Sequence, residues 1–301
     1  MHAEQFAEPV AQVMQKPTVL AVVETRMNDL ISQFSDLRSR ETRNAEHAAL
    51  YHLLSGGSRT RAKICLSASK SLGITESDAI ALSACVELLH NASLIHDDLH
   101  DHEKFRHQTE SVWKAYSPAI AICAGDLMIS SAYLALASVQ KAGALPALMG
   151  ATHRCVAGAI RGQCADLESY ARSALSFEDY IEIVKTKSGA LLALPLELPL
   201  ILSGNFHALE IALEAAADFS IGYQIMDDLV DFEQDSAKND RTSRLNLYGL
   251  LRADFGENHA REKAATLGRT FFTTSASRFK ELPKNSGHYL EELALKTAAG
   301  L

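Results

Sequence analysis

Apolar residues recur at three- and four-residue intervals along most of this chain, and alternating runs of β-branched residues are few. That spacing puts apolar side chains on one face of a helix, so it predicts helices over 79–96, 116–140, 147–170, 177–194, 208–232 and 260–279. Breakers punctuate the pattern at Gly56-Gly57, Pro118, Pro146, Gly204-Asn205 and 283–287. Gly73 followed by Thr75-Glu76-Ser77-Asp78 reads as a helix stop and a capped start. The most apolar stretch, 190–202, carries Pro195, Glu197 and Pro199, and so predicts a kinked buried helix instead of a membrane span. The expected fold is all-α. No Pro/Gly/Ser-rich linker divides the chain, which predicts one domain over 1–301.

Two helical stretches end in acidic boxes of one design, Asp97-Asp98-Leu99-His100-Asp101 and Asp227-Asp228-Leu229-Val230-Asp231. On a helix, residues i and i+4 share a face, so Asp97 repels Asp101 and Asp227 repels Asp231 unless a cation lies between them. A single box of this kind is usually a solvated helix face. Two identical boxes, each emerging from an apolar helix, instead predict facing carboxylate clusters that hold Mg2+, a hard ion that prefers carboxylates, water and phosphate oxygens. A bound diphosphate follows from that preference. The segment 232–245, rich in Asp, Lys, Asn, Arg and Ser, is the candidate for a mobile lid.

Composition narrows the partners. The 301 residues are 47% hydrophobic and 22% charged, enough to bury a large core, and a net charge of -8 argues against binding nucleic acid. Five cysteines form no CxxC pair and four lie in apolar helical stretches, so free thiols in a reducing cytoplasm are expected. The N-terminus lacks the basic start and apolar core of a signal peptide, and no unbroken apolar run reaches the ~18 residues of a membrane span.

Six motifs in order then resemble the trans-prenyl diphosphate synthases, the farnesyl, geranylgeranyl and polyprenyl diphosphate synthase family. They are Gly56-Gly57-Ser58-Arg59-Thr60-Arg61, the stretch from His90 through the first box with Arg106 after it, Ala124-Gly125-Asp126, Gly162-Gln163, Lys185-Thr186, and Gly222-Tyr223-Gln224 leading into the second box. The resemblance implies an isoprenoid-synthase helical bundle around an apolar cavity, a homodimer, and transfer of an allylic prenyl group from its diphosphate to isopentenyl diphosphate. Metal contacts are implied for Asp97, Asp101 and Asp227, with Asp98, Asp228 and Asp231 around them and Asp98 and Asp231 counted with the metal set. Arg106, Lys185, Thr186, Gln224 and Lys238 are implied to hold the allylic diphosphate, with Lys185 also catalytic. Tyr223 is implied to stabilise the cation, and Ala92, Ser93 and Leu89 to line the path of the growing tail. Gln163 and Gly125-Asp126 also read as a packing amide and as helix-end residues. The histidines around the first box admit a metal phosphohydrolase, which would need neither the second box nor the Gly-Gly segment.

The motifs depart from the family at the site for isopentenyl diphosphate. Where the family has Gly-Gly-Lys-Arg-x-Arg, this chain has Ser58, and where it has two arginines after the first box, this chain has Arg106-His107. Arg61 and His90 remain beside Ser58 and His107. Two lost charge-assisted hydrogen bonds are worth roughly 3–6 kcal/mol, about two to four decades of affinity. The expectation is a chain-elongating synthase; a different acceptor, cyclisation, or a non-catalytic subunit are the alternatives.

Overall fold

The computed structural model describes residues 17–33, 44–169, 176–238 and 246–301. Among these, thirteen α-helices and one small hairpin appear. The N-terminal part holds α1 (Val19–Ser32), α2 (Ala45–Leu54), α3 (Thr60–Leu72) and the long α4 (Glu76–His100). Then come β1 (Phe105–Arg106), β2 (Thr109–Glu110), α5 (Val112–Ala115), α6 (Pro118–Leu136) and α7 (Leu145–Ser169). The remainder is α8 (Phe177–Val184), α9 (Ala190–Ser203), α10 (Leu209–Lys238), α11 (Leu247–Phe255), α12 (Glu257–Lys280) and α13 (His288–Gly300).

Local chemistry sets the ends of the site-bearing helices. Gly73 closes α3 in the left-handed conformation, and the Thr75 hydroxyl accepts the Asp78 amide to start α4. α8 begins with a reciprocal capping box between Ser176 and Asp179. The expected helix over 177–194 is two helices joined by a π-helical turn, Lys185–Gly189. A wider turn of this kind adds a residue to the helical repeat and re-aims the side chains around it.

α9 occupies the centre. Every residue from Leu191 to Leu202 is buried, so the helix is apolar all round and runs through Pro195 and Pro199 as one element. One side, with Leu194 and Leu198, packs into the core formed by α4, α6 and α7. The other, with Leu196 and Leu200, meets Phe219, Phe272 and Phe279 from α10 and α12. A third cluster joins Tyr180, Ile225 and Leu247 from α8, α10 and α11.

Among the described residues two helices, α4 and α6, are long and apolar enough to cross a membrane by length and composition alone. Polar residues such as Glu87 and Asp126 break both runs, so a search for unbroken apolar sequence passes over them. The apolar stretch of α4 is 72% buried in the core, and that of α6 is 44% buried. Cys65, Cys85 and Cys155 are buried, Cys123 and Cys164 exposed, and all five are free.

Candidate active site

The C-terminal half of α4 forms one wall of a cavity of about 340 Å³, closed by α6, α7 and the start of α9. Leu89, Ala92 and Ser93 line it as expected, with Ile129, Val156 and Leu191 facing them, and Asp97 stands at its polar end. Tyr223 is not among the lining residues; it is 46% exposed and its ring stacks on Phe219. His96 fits beside Asp97 because α6 has a glycine opposite: a β-carbon at Gly125 would lie 2.1 Å from His96 Nε2. Gly125-Asp126 therefore lies within α6 and not at its end, with Asp126 Oδ1 3.8 Å from the same imidazole.

The lysine at the cavity is Lys187, not Lys185. Lys187 Nζ donates to Asp166 Oδ2 at 2.7 Å and lines the cavity with Asp97. Burial pulls its ammonium down, but the charges of Asp97 and Asp166 outweigh that and hold it above the usual lysine value. Lys185 is exposed, and Thr186 turns its hydroxyl back to the Glu182 carbonyl at 2.6 Å. The physical reason is helical phase. Residues two apart on a helix point to nearly opposite sides, and Gly162 of α7 packs on the backbone of Lys187, so Lys187 and not Lys185 meets the cavity. Asp166 carries no signal of its own in the sequence beyond its place one turn after Gly162.

Within each box the two adjacent aspartates point different ways. Burial raises the Asp97 carboxyl above its usual range, as does Asp101, while Lys187 opposes both. Asp101 caps α4 and is exposed. Asp98, expected among the metal ligands, is fully buried away from the cavity. Its Oδ1 accepts from Arg106 Nε at 3.0 Å and from a second guanidinium nitrogen, and its Oδ2 is buried without a partner. A step of one residue turns a helix by about 100°, so neighbours cannot share a face. In the second box Asp228 is buried in the same way. Its Oδ2 accepts from Tyr180 Oη at 2.9 Å and from the Leu247 amide at 2.7 Å, and its Oδ1 from Gln224 Nε2 at 2.9 Å. Gln224, expected on the allylic diphosphate, thus has its amide on Asp228. Asp227 is half-buried. The side chains of Asp231 and Lys238 lie outside the described residues; of the lid candidate, 232–238 continues α10 as helix and 239–245 lies outside the described residues.

Among the described residues no three metal-ligating side chains converge. The donors at the boxes are carboxylate oxygens, which fits Mg2+: it is held by one or two carboxylates with water and substrate phosphate, not by a closed protein cage.

A second pocket, of about 160 Å³, opens beside the first and shares His90 and Leu94 with it. Ser58, His107, Arg106, His52 and the turn Gly56-Gly57 line it. Ser58 Oγ lies 2.7 Å from Thr60 Oγ1. Of the four residues expected together, Arg61 falls on the cavity side, its Nε buried without a hydrogen-bond partner, and burial lowers its affinity for the proton. Arg106, expected at the allylic diphosphate, lines the smaller pocket instead. Arg59 is a structural clamp. Its guanidinium donates to Glu24 Oε1 at 3.0 Å, the Gly56 carbonyl at 3.0 Å and the Leu53 carbonyl at 2.6 Å, tying the glycine turn to α1 and α2.

The arrangement of helices is that of the isoprenoid synthases. The structure superposes on the geranyltranstransferase of Thermotoga maritima with a TM-score of 0.73 at 26% identity, covering 94% of this chain and 98% of that one. In sequence, the chain is 30% identical over 198 residues to the geranylgeranyl pyrophosphate synthase of Geoglobus acetivorans, covering 65% of this chain and 62% of that protein. It is 32% identical over 178 residues to the (2E,6E)-farnesyl diphosphate synthase of Mycobacterium tuberculosis, covering 58% and 48%. The matches thus span about half to three-fifths of these relatives' length. The polyprenyl synthetase family model matches residues 43–244, and the chain belongs to that family.

Proposed function

We propose that the chain is a Mg2+-dependent prenyltransferase that ionises an allylic diphosphate and condenses the allylic group with isopentenyl diphosphate, giving a C15–C20 or longer prenyl diphosphate. The observation that carries this reading is the pairing of two unlike pockets at His90: an apolar cavity with Asp97 and Lys187 at its mouth, and a small polar pocket beside it. One takes a hydrocarbon tail with its diphosphate at the mouth, the other a second, short diphosphate.

Asp97 on α4, Asp101 at its C-cap and Asp227 on α10 would hold the ions. Bound Mg2+ supplies the positive charge that offsets the charge developing on the departing diphosphate. Lys187, kept protonated by Asp97 and Asp166, donates to the same oxygens. The apolar walls from Leu89, Val156 and Leu191 exclude water from the allylic carbon, and so favour attack by the acceptor's double bond over hydrolysis. Leu89 lies eight residues before Asp97, about 12 Å of helix rise, and Ala92 and Ser93 between them leave the tail's path open.

The test is to incubate the protein with geranyl, farnesyl or geranylgeranyl diphosphate, with and without isopentenyl diphosphate, in Mg2+ or EDTA, and identify products by mass spectrometry. Longer diphosphates formed only with both isopentenyl diphosphate and Mg2+ are expected. Alcohols or hydrocarbons formed equally well without isopentenyl diphosphate would overturn elongation. The same reading includes a homodimer, supported by the apolar side chains Ile122 on α6 and Met149 on α7, which stand exposed outside the cavity. Light scattering at micromolar concentration should give twice the mass of one chain; the mass of a single chain would refute it.

A further inference from the structure

Glu87 is out of place by charge: it is a carboxylate, 2% exposed, on the wall of a pocket that takes an anion. A carboxylate so deep is costly unless partners compensate it, and its partners lie at the start of α3. The N-cap position of that helix is Arg59, held in the left-handed region (φ 52°) and making no side-chain capping bond. Its guanidinium is engaged with Glu24 and with the Gly56 and Leu53 carbonyls. The first amides of a helix have no intrahelical acceptor, and negative charge is favoured there. Glu87 brings one from α4: its Oε2 accepts the Ala62 amide at 2.9 Å.

A second fastening holds Glu87 itself. Asn91, one helical turn further along α4, donates from Nδ2 to the Glu87 carbonyl at 2.7 Å and to Oε1 at 3.4 Å. One carboxylate oxygen is thus directed at α3 and the other back along α4. The amide so held belongs to the residue after Arg61, which lines the larger cavity beside His90, where the two pockets meet. Arg61 Nε is buried without a hydrogen-bond partner. Burial lowers its hold on the proton, and the Glu87 charge is the first to oppose that. Other basic groups near this border are engaged or uncharged. Arg106 is on Asp98, and burial, reinforced by nearby arginines, pushes His52 down to about 4 and His90 well below the usual histidine range.

We propose that Glu87 is a positioning residue for the acceptor: by fixing the first turn of α3 it aims Arg61 at the diphosphate of isopentenyl diphosphate where the two pockets meet. The inference rests on the reading of the smaller pocket as the acceptor site. Glu87 acts through Arg61, and its bond from the Ala62 amide and its nearness to the guanidinium offset its repulsion of the anion. An arginine that grips ground state and transition state alike shows itself in KM and not in kcat. The allylic diphosphate, held at the cavity mouth by Lys187 and the acidic boxes, is untouched by this device.

Glu87→Gln tests the proposal, since it is nearly isosteric but removes the charge and turns a donor towards Asn91 or Ala62. Steady-state rates are measured on the whole protein in Mg2+, with an allylic diphosphate that wild type accepts. KM for isopentenyl diphosphate should rise about tenfold, while kcat and the allylic KM stay within about threefold and the melting temperature stays near wild type. In an Arg61→Ala background, where the acceptor KM is already raised, Glu87→Gln should add less than about twofold, because nothing is left to aim. Asn91→Ala, which loosens Glu87 without touching its charge, should show the same split in smaller measure, and it decides the matter should Glu87→Gln fail to fold. An unchanged acceptor KM in these variants, an equal rise in both KM values, or independent effects at 61 and 87 overturns the inference while leaving the acceptor site standing. No elongation of any allylic diphosphate by wild type overturns the acceptor reading and the inference with it.

Discussion

Gly162 and Lys187 touch through their backbones: a β-carbon at position 162 would lie 2.4 Å from the Lys187 nitrogen and 2.6 Å from its α-carbon. Contact this close leaves α7 and the π turn no room to separate, and it sets the angle from which Lys187 reaches Asp97 and Asp166. Gly162→Ala must push the turn away. We expect it to lower kcat without loss of overall fold, because a lysine displaced by about 1 Å from a diphosphate forfeits on the order of 10²-fold. Lys187→Ala should lose at least as much, whereas Lys185→Ala should stay within about threefold of wild type. Steady-state rates of the three variants decide it, and equal losses at 185 and 187 would contradict the register described.

Tyr180→Phe removes one of the donors to the buried Asp228 carboxylate, leaving those from Leu247 and Gln224. Burial, with the adjacent Asp228 charge, pushes the Tyr180 phenol far above its usual range, so it donates at every working pH. Loss of a hydrogen bond to a buried charge should cost about 1.5–3 kcal/mol. Urea denaturation would measure it, and an unchanged midpoint would show that Asp228 is held without Tyr180.

His52 predicts an acid limb in stability. The unfolded chain binds a proton near pH 6.5 that the folded protein refuses until about pH 4, because the ring is buried. Protons bound only by the unfolded state favour unfolding, so stability is full above pH 6.5 and falls as the pH drops towards 4. The loss from this group between pH 7 and 5 is roughly 2 kcal/mol. In His52→Gln the difference in unfolding free energy between those two pH values should shrink by about that amount; an identical difference would assign the limb to other groups.

Ala92→Phe should shorten the product or reject long allylic substrates, since Ala92 lines the cavity between Asp97 and Leu89 and is 1% exposed. Mass spectrometry of products reads this directly. An unchanged distribution would place the end of the cavity on another helix.

Helix phase decided what could be read from sequence. Regular apolar spacing made α4, α6, α7, α10 and α12 legible to within a few residues, and the acidic boxes stood out because both interrupt such a face. Lys187 was hidden because the resemblance pointed to Lys185-Thr186, and which of the two lysines faces the cavity depends on the packing of Gly162 against Lys187. The inward turn of Asp98 and the engagement of Gln224 were hidden because their partners, Arg106 and Asp228, compete with a ligand through contacts that only the packed helices create. The replacements at Ser58 and His107 were visible, but not that they share a pocket walled by two neutral imidazoles.

The doubled aspartate at the head of each box acquires a reason from the directions of Asp98 and Asp228. Each fastens the stretch of chain that follows it, Asp98 through Arg106 of the hairpin and Asp228 through the first amide of α11. Its neighbour on the same helix is left to meet the ligand. One acid cannot serve both ends, since about 100° of helix separates the two directions. Exchanging the order of function within a doublet would therefore mean rotating the whole helix, and with it every apolar contact below. Two letters in the sequence thus fix the rotation of α4 and of α10 together with their cores.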